Sequence, residues 1–95
     1  MNNFIDVPND KDTYIINQKE ITIKGIPALK QHWNWDGITA DSLIFNSKDV
    51  AHLSDDNSLQ SFINEHSDVK VKGSVTFKRN LNGYCFVNFN FEFYW

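Results

Sequence analysis

Strict alternation of apolar and polar side chains marks the last third of the chain. Apolar residues occupy the odd positions from 69 to 77 and again from 85 to 95, with mostly polar residues between them. A period of two residues predicts a strand that turns one face toward a core. Asn82-Gly83, between the two runs, is typical of a tight turn. The pattern therefore predicts a C-terminal β-hairpin.

The register of this hairpin follows from the shared odd numbering of its apolar residues. A two-residue loop would pair odd positions with even ones and turn one apolar face outward. A three-residue loop over 81–83, with Gly83 in the left-handed conformation, keeps the faces matched and sets Asn80 opposite Tyr84. The same register predicts further cross-strand pairs: Phe77 with Val87, Val75 with Phe89, Gly73 with Phe91, Lys72 with Glu92 and Val71 with Phe93.

Shorter patterns organise the first half of the chain. Segments 13–16 and 20–24 are rich in β-branched residues and predict a hairpin around a turn at 17–19. Pro27 suits the first residue of a short helix, where its missing N–H is not needed. Asp36-Gly37 predicts a turn, followed by a strand over 38–45.

Two helices are predicted between this strand and the hairpin. Ser47 is a suitable cap for a short helix over 48–53, and Ser54 or Asp55 can cap a longer one that ends near His66. An apolar stripe at helical spacing faces the core from the longer helix: Leu59, Phe62, Ile63 and His66. We therefore predict one α+β domain over 1–95, with an antiparallel sheet of four or five strands, two or three short helices and a loosely ordered lead-in at 1–12.

Composition narrows the setting of this domain. A chain of 95 residues with 41% hydrophobic residues supports one core. The single cysteine, Cys85, excludes an intramolecular disulfide. The N-terminus shows no secretory signal and no apolar run is long enough to cross a bilayer, so we expect a cytoplasmic protein without membrane contact.

Candidate catalytic chemistry is sparse. His32, His52 and His66 lack the spacing of a helical metal site, and Cys85 falls on the inward face of a strand. Asp36 and Asp41 could pair as carboxylates, but acid–base work requires a pocket that shifts their pKa values. We therefore expect no enzyme activity, no cofactor and no metal.

Charge is distributed unevenly along the chain. Segment 34–68 carries seven carboxylates against Lys48 alone, whereas 69–95 carries four cations against Glu92. Trp33 and Trp35 adjoin the acidic segment; either one of them is exposed at an interface, or they cover the core and its edge. We predict a partner-binding surface made of Trp33, Trp35, Asp36, Asp41, Asp49, Asp55 and Asp56.

Such a surface suits a basic partner, since electrostatic complementarity speeds association and selects the partner. The predicted function is a non-catalytic inhibitor of a basic, nucleic-acid-handling protein, such as a nuclease toxin or a CRISPR effector. Immunity proteins and anti-CRISPR proteins are analogous in size and charge.

Two alternatives use the C-terminal hairpin. Its outer face combines basic and aromatic residues that could stack single-stranded nucleic acid, although the acidic net charge disfavours phosphate. These residues are Lys70, Lys72, Lys78, Arg79, Tyr84 and Phe86. The last strand, which ends in Tyr94 and Trp95, could instead be a sheet edge that pairs with another subunit, for example in a homodimer.

Overall fold

The computed structural model describes residues 4, 7–8, 12–53, 55–64 and 75–89. Five strands form one antiparallel sheet in the order β1-β2-β3-β5-β4. The strands are β1 (Thr13–Ile23), β2 (Ile26–Trp35), β3 (Ile38–Asn46), β4 (Val75–Leu81) and β5 (Tyr84–Phe89), accompanied by a 3-10 turn (Ser47–Asp49) and helix α1 (Asp56–Asn64). The α+β class, the five-stranded sheet and the C-terminal hairpin are confirmed.

The number of helices differs from the prediction. Within the described ranges there is one α-helix, not two or three. The segment predicted as a short helix over 48–53 contributes only the 3-10 turn, and the segment that begins near Pro27 is a strand. At Pro27, pairing with the neighbouring strands overrides the weak local helix preference.

The first hairpin is formed by β1 and β2. The turn predicted at 17–19 is wrong, because β1 runs through it and absorbs the irregularity as a bulge between Ile15 and Asn17. The chain reverses at Lys24 and Gly25, whose φ angles are 51° and 84°. Two consecutive left-handed residues make the tight turn that matches strand twist, so Ile26 pairs back onto Ile23.

Pro27 is tolerated inside β2 because of its place in the ladder. Residues next to a two-residue loop form the hydrogen-bonded pair, so Pro27, opposite Thr22, occupies the following non-hydrogen-bonded pair. Its nitrogen then faces away from β1, and pairing with β3 starts only at Leu29. The missing N–H is therefore not needed by either neighbour.

The C-terminal hairpin corrects the predicted register. Its loop is Asn82-Gly83, with φ angles of 52° and 85°, and Asn80 lies opposite Cys85 rather than Tyr84. A bulge between Val75 and Phe77 resolves the mismatch of odd and even positions. Phe77 therefore lies opposite Asn88, not Val87. Beyond the bulge Val75 lies opposite Phe89, as predicted; the three pairs involving 71–73 lie outside the described residues.

Gly83 offers a test of this loop. Gly83→Ala forces a side chain into the left-handed region and should lower the free energy of unfolding by about 1–2 kcal/mol. Urea unfolding measures the loss. Asn82→Gly is the matched control and should cause no such loss, since glycine accepts the same φ freely. Equal stability of Gly83→Ala and the parent protein would contradict the two-residue turn.

Helix α1 covers one face of the sheet, here termed the helix face. Its Leu59, Phe62 and Ile63 pack against sheet residues, with Phe45 and Phe62 ring centroids 6.4 Å apart. The predicted stripe is confirmed for these three residues, and His66 lies outside the described residues. The sheet residues of this core are Ile23, Ala28, Leu43, Phe45, Cys85 and Val87.

The other face, here termed the open face, has a smaller core. Leu29, Ile44 and Tyr84 are buried there together with Phe4, whose ring centroid lies 6.2 Å from that of Tyr84. The loose lead-in over 1–12 stays a prediction, since most of those residues are not described. Among the described residues, no helix has the length and apolar character needed to cross a membrane.

Candidate functional site

Two large apolar side chains remain exposed at one end of the open face. Trp35 and Ile38 lie directly opposite each other on β2 and β3 and are 48% and 59% exposed. The alternation of the strands places Ile15, Trp33 and Ala40 on the same face beside them. We call these five residues the Trp35 surface.

A chain of hydrogen bonds holds the side chain of Trp33 in place. Its Nε1–H donates to the hydroxyl of Ser42 over 2.8 Å, and that hydroxyl donates to Oδ1 of Asn88 over 2.6 Å. Ser42 is buried, and the chain of hydrogen bonds crosses from β2 through β3 to β5. The half-buried Trp33 is thereby fixed by the sheet, whereas Trp35 is turned toward solvent.

The turn between β2 and β3 adds negative charge to this end of the sheet. Asp36 is exposed at its tip with a φ of 51°, and Asn34 Oδ1 accepts a hydrogen bond from the N–H of Gly37 over 3.2 Å. Asp12, also exposed, precedes Thr13, which pairs with Trp35. Segments 12–15 and 33–40 contain no lysine or arginine. The Trp35 surface therefore has an acidic border.

Asp41 lies on the opposite side of the sheet from the Trp35 surface. It is 0% exposed, and its Oδ1 lies 2.5 Å from Nδ1 of His32 directly across the strand pair. Alternation along β3 directs it to the helix face, whereas its neighbour Ala40 faces the open face. Asp41 is a buried hydrogen-bonded group rather than part of an exposed acidic surface.

The remaining acids of the predicted surface are far from Asp36. Asp49 is half-buried in the 3-10 turn and Asp55 is exposed before α1, both beyond the other end of β3. The nine residues of β3 span roughly 26 Å. The described carboxylates therefore do not form one continuous surface, and the side chain of Asp56 lies outside the description.

Asp55 has a structural role as the cap of α1. Its Oδ1 accepts a hydrogen bond from the backbone N–H of Ser58 over 2.8 Å, and its Oδ2 accepts one from the Ser58 hydroxyl over 2.9 Å. The backbone bond first, and the hydroxyl bond second, hold the pKa of Asp55 below its usual value. These contacts agree with the cap predicted from the sequence.

The cap should make stability depend on pH. A lowered pKa in the folded state means that the contribution of Asp55 is present above its ordinary pKa and lost as pH falls through the lowered one. Asp55→Ala should therefore reduce the midpoint of thermal unfolding at pH 7, and the difference should close in acid. Asp55→Asn is the control, since it keeps a capping oxygen without charge and should lose less. A difference that persists unchanged in acid would contradict this role.

The basic and aromatic face predicted for nucleic acid is only partly described. Tyr84 is buried against Phe4, and the guanidinium of Arg79 lies over the Phe86 ring, 5.3 Å from its centroid. Lys78 alternates to the other side of β4 from Arg79. Stacking of a base requires an open ring face, and these contacts partly cover the rings of Tyr84 and Phe86. Lys70, Lys72 and the edge residues Tyr94 and Trp95 lie outside the described residues.

Cys85 is a core thiol. It is 3% exposed, and burial raises its pKa, an effect that the charge of Lys78 partly opposes. A reactive thiol requires a lowered pKa and access to solvent. Within the described part of the chain, no three His, Cys, Asp or Glu residues are grouped as metal ligands would be.

Beyond the predicted residues, the Trp35 surface includes Ile15, Ile38 and Ala40, and Asp12 lies at its border. For Ile38 the sequence holds a signal, since a two-residue Asp36-Gly37 turn sets it opposite Trp35. The others follow only once the strand pairing is known. On the helix face, nothing local in the sequence indicates that His32 lies opposite Asp41.

No protein-family model, no curated protein and no solved structure matches the chain.

Proposed function

We propose that this chain is a non-catalytic protein-binding domain that docks on a basic partner through the Trp35 surface. One observation carries the proposal: Trp35 and Ile38 are exposed side by side, directly opposite each other at one end of the open face. An exposed tryptophan beside a second apolar residue is the composition of a binding hot spot. The proposed function remains the inhibitor function predicted from the sequence, but the binding residues are centred on Trp35 rather than on the carboxylates.

The rigidity of the surface favours binding. Because the Ser42 hydroxyl holds Trp33, and because the surface is built on paired strands, few side chains have to be ordered when a partner arrives. Ordering costs of about 0.5–1.5 kcal/mol per mobile side chain are thereby reduced. Binding residues on regular strands also keep their relative positions better than residues on loops do.

Charge defines the class of partner. Asp12 and Asp36 border the apolar centre, segments 12–15 and 33–40 lack cations, and the whole chain has a net charge of −3. A partner with an apolar pocket surrounded by lysine and arginine would be complementary. Proteins that handle nucleic acids present basic surfaces, and the proposed consequence of docking is inhibition of a nuclease toxin or a CRISPR effector by occupation of its basic surface.

Photo-crosslinking tests the proposal at the level of one residue. A benzoylphenylalanine in place of Trp35 should crosslink to a basic protein in the native host. The same group in place of Asn57, exposed on α1, is the control and should not. Equal yields of the same adduct from both positions, or an adduct from position 57 alone, would refute docking through the Trp35 surface. An adduct with a second copy of this chain would replace the basic partner by a homodimer.

A further inference from the structure

A groove of about 430 Å³ lies on the open face next to the Trp35 surface. Ile15 belongs to both, so the two are continuous along β1 and β2. Phe4 and Val7 line it together with residues of the first two strands. The strand residues are Ile15, Gln18, Lys19, Glu20, Leu29 and Gln31.

The polar groups of the groove match a peptide backbone. Gln31 Nε2–H donates to Oε1 of Gln18 over 3.3 Å, and both side chains keep further donors and acceptors. A carboxamide offers the same donor and acceptor pair as a peptide unit, so the two can bond side by side. Glu20, exposed and directly opposite Leu29, places a carboxylate beside the apolar floor, whereas Lys19, the cation in the lining, alternates to the other side of β1.

We infer that the groove and the Trp35 surface together bind one extended segment of the partner that has apolar side chains along its centre and a basic side chain at each end. The inference rests on the proposed function and specifies its partner. The apolar side chains would contact Leu29, Ile15 and Trp35. The basic ones would face Glu20 at one end and Asp36 at the other.

The dimensions select an extended segment over a helix. From Glu20 to Thr13, β1 covers roughly 20 Å, which corresponds to about six extended residues. The groove follows the first two strands over much of that length, so an extended segment can lie along it, whereas a helix is about 10 Å wide with its side chains. A helix would rest on the rim without filling the groove.

Titration with synthetic peptides tests the inference on the whole chain. The probe is a blocked six-residue peptide with an arginine at each end and alternating valine and serine between them, observed through backbone amide and indole NMR signals. Signals of Gln18, Leu29 and Gln31 should shift together with the Trp35 indole, and added salt should weaken the effect. A peptide with glutamate in place of arginine is the control and should shift none of them.

Charge reversal provides the second arm. Glu20→Lys should weaken the arginine peptide about tenfold, whereas Asp49→Lys, the same charge change beyond the other end of β3, should change binding less than twofold. Equal effects of the two reversals, equal binding of both peptides, or no shift at millimolar peptide would overturn the inference. Shifts confined to Trp35 and Ile38 would overturn the groove but leave the proposed function standing. Failure of that function would be seen separately, in the crosslinking from position 35.

Discussion

Asp41→Ala should lower the free energy of unfolding by about 3 kcal/mol, because it removes one member of a buried hydrogen-bonded pair and leaves a cavity. Asp41 is fully buried and its Oδ1 lies 2.5 Å from His32 Nδ1 on the neighbouring strand. The substitution removes the carboxylate from the half-buried His32 imidazole and leaves a space beside it. Against a total stability of roughly 5–10 kcal/mol, this loss is large. Urea unfolding measures it.

Two further variants show whether the pair is responsible. Asp36→Asn removes an exposed carboxylate at a turn where asparagine is equally tolerated, and its effect should stay within about 0.5 kcal/mol. His32→Ala combined with Asp41→Ala should cost less than the sum of the single changes, because both remove the same interaction. Additive losses, or an Asp41→Ala protein as stable as Asp36→Asn, would contradict the assignment of Asp41 to the interior.

Trp35→Ala should weaken the complex with the crosslinked partner by about thirtyfold or more, which corresponds to the roughly 2 kcal/mol of a hot-spot residue. The physical reason is the loss of the largest exposed ring at the centre of the Trp35 surface. Since Trp35 is half exposed in the free protein, its removal should change the free energy of unfolding by only about 0.5 kcal/mol. Calorimetric titration of the purified partner measures the affinity.

Leu81→Ala is the matched control for this prediction. Leu81 is also an exposed apolar residue, 39% accessible, and it pairs with Tyr84 at a distant corner of the same sheet. Its truncation should change affinity by less than twofold. A comparable loss from Leu81→Ala and Trp35→Ala would mean that binding depends on general apolar exposure rather than on the proposed surface.

The parts of the fold that were predictable from the sequence have regular periodicity. Alternation over 85–89 and the spacing of Leu59, Phe62 and Ile63 led directly to β5 and α1. Bulges leave no comparable signal in the sequence. One extra residue only exchanges the faces that odd and even positions occupy beyond it. The shared odd numbering of the apolar residues predicts a three-residue loop. The chain forms a two-residue loop instead, because the bulge between Val75 and Phe77 shifts the register by one residue. At Pro27 local chemistry permitted both a helix start and a strand, and pairing with Thr22 decided between them.

The candidate site was predictable only where it depends on local chain geometry. Trp35, Asp36 and Ile38 lie in or next to one tight turn, so a stretch of four residues is enough to predict that they are close together. The prediction of one acidic surface fails because a count of carboxylates along the chain ignores which side of a strand each one takes. Asp41 comes just before the apolar run Leu43, Ile44 and Phe45, and its alternate position in β3 directs it inward.

Hydroxyl-radical footprinting of the complex tests the central claim most directly, because oxidation reports the solvent access of individual side chains. Trp35 and Ile38 should oxidise several-fold more slowly when the partner is bound, while Leu81 reacts at the same rate in both states. Unchanged oxidation of Trp35 and Ile38 in a complex that protects other residues would contradict docking through this end of the sheet.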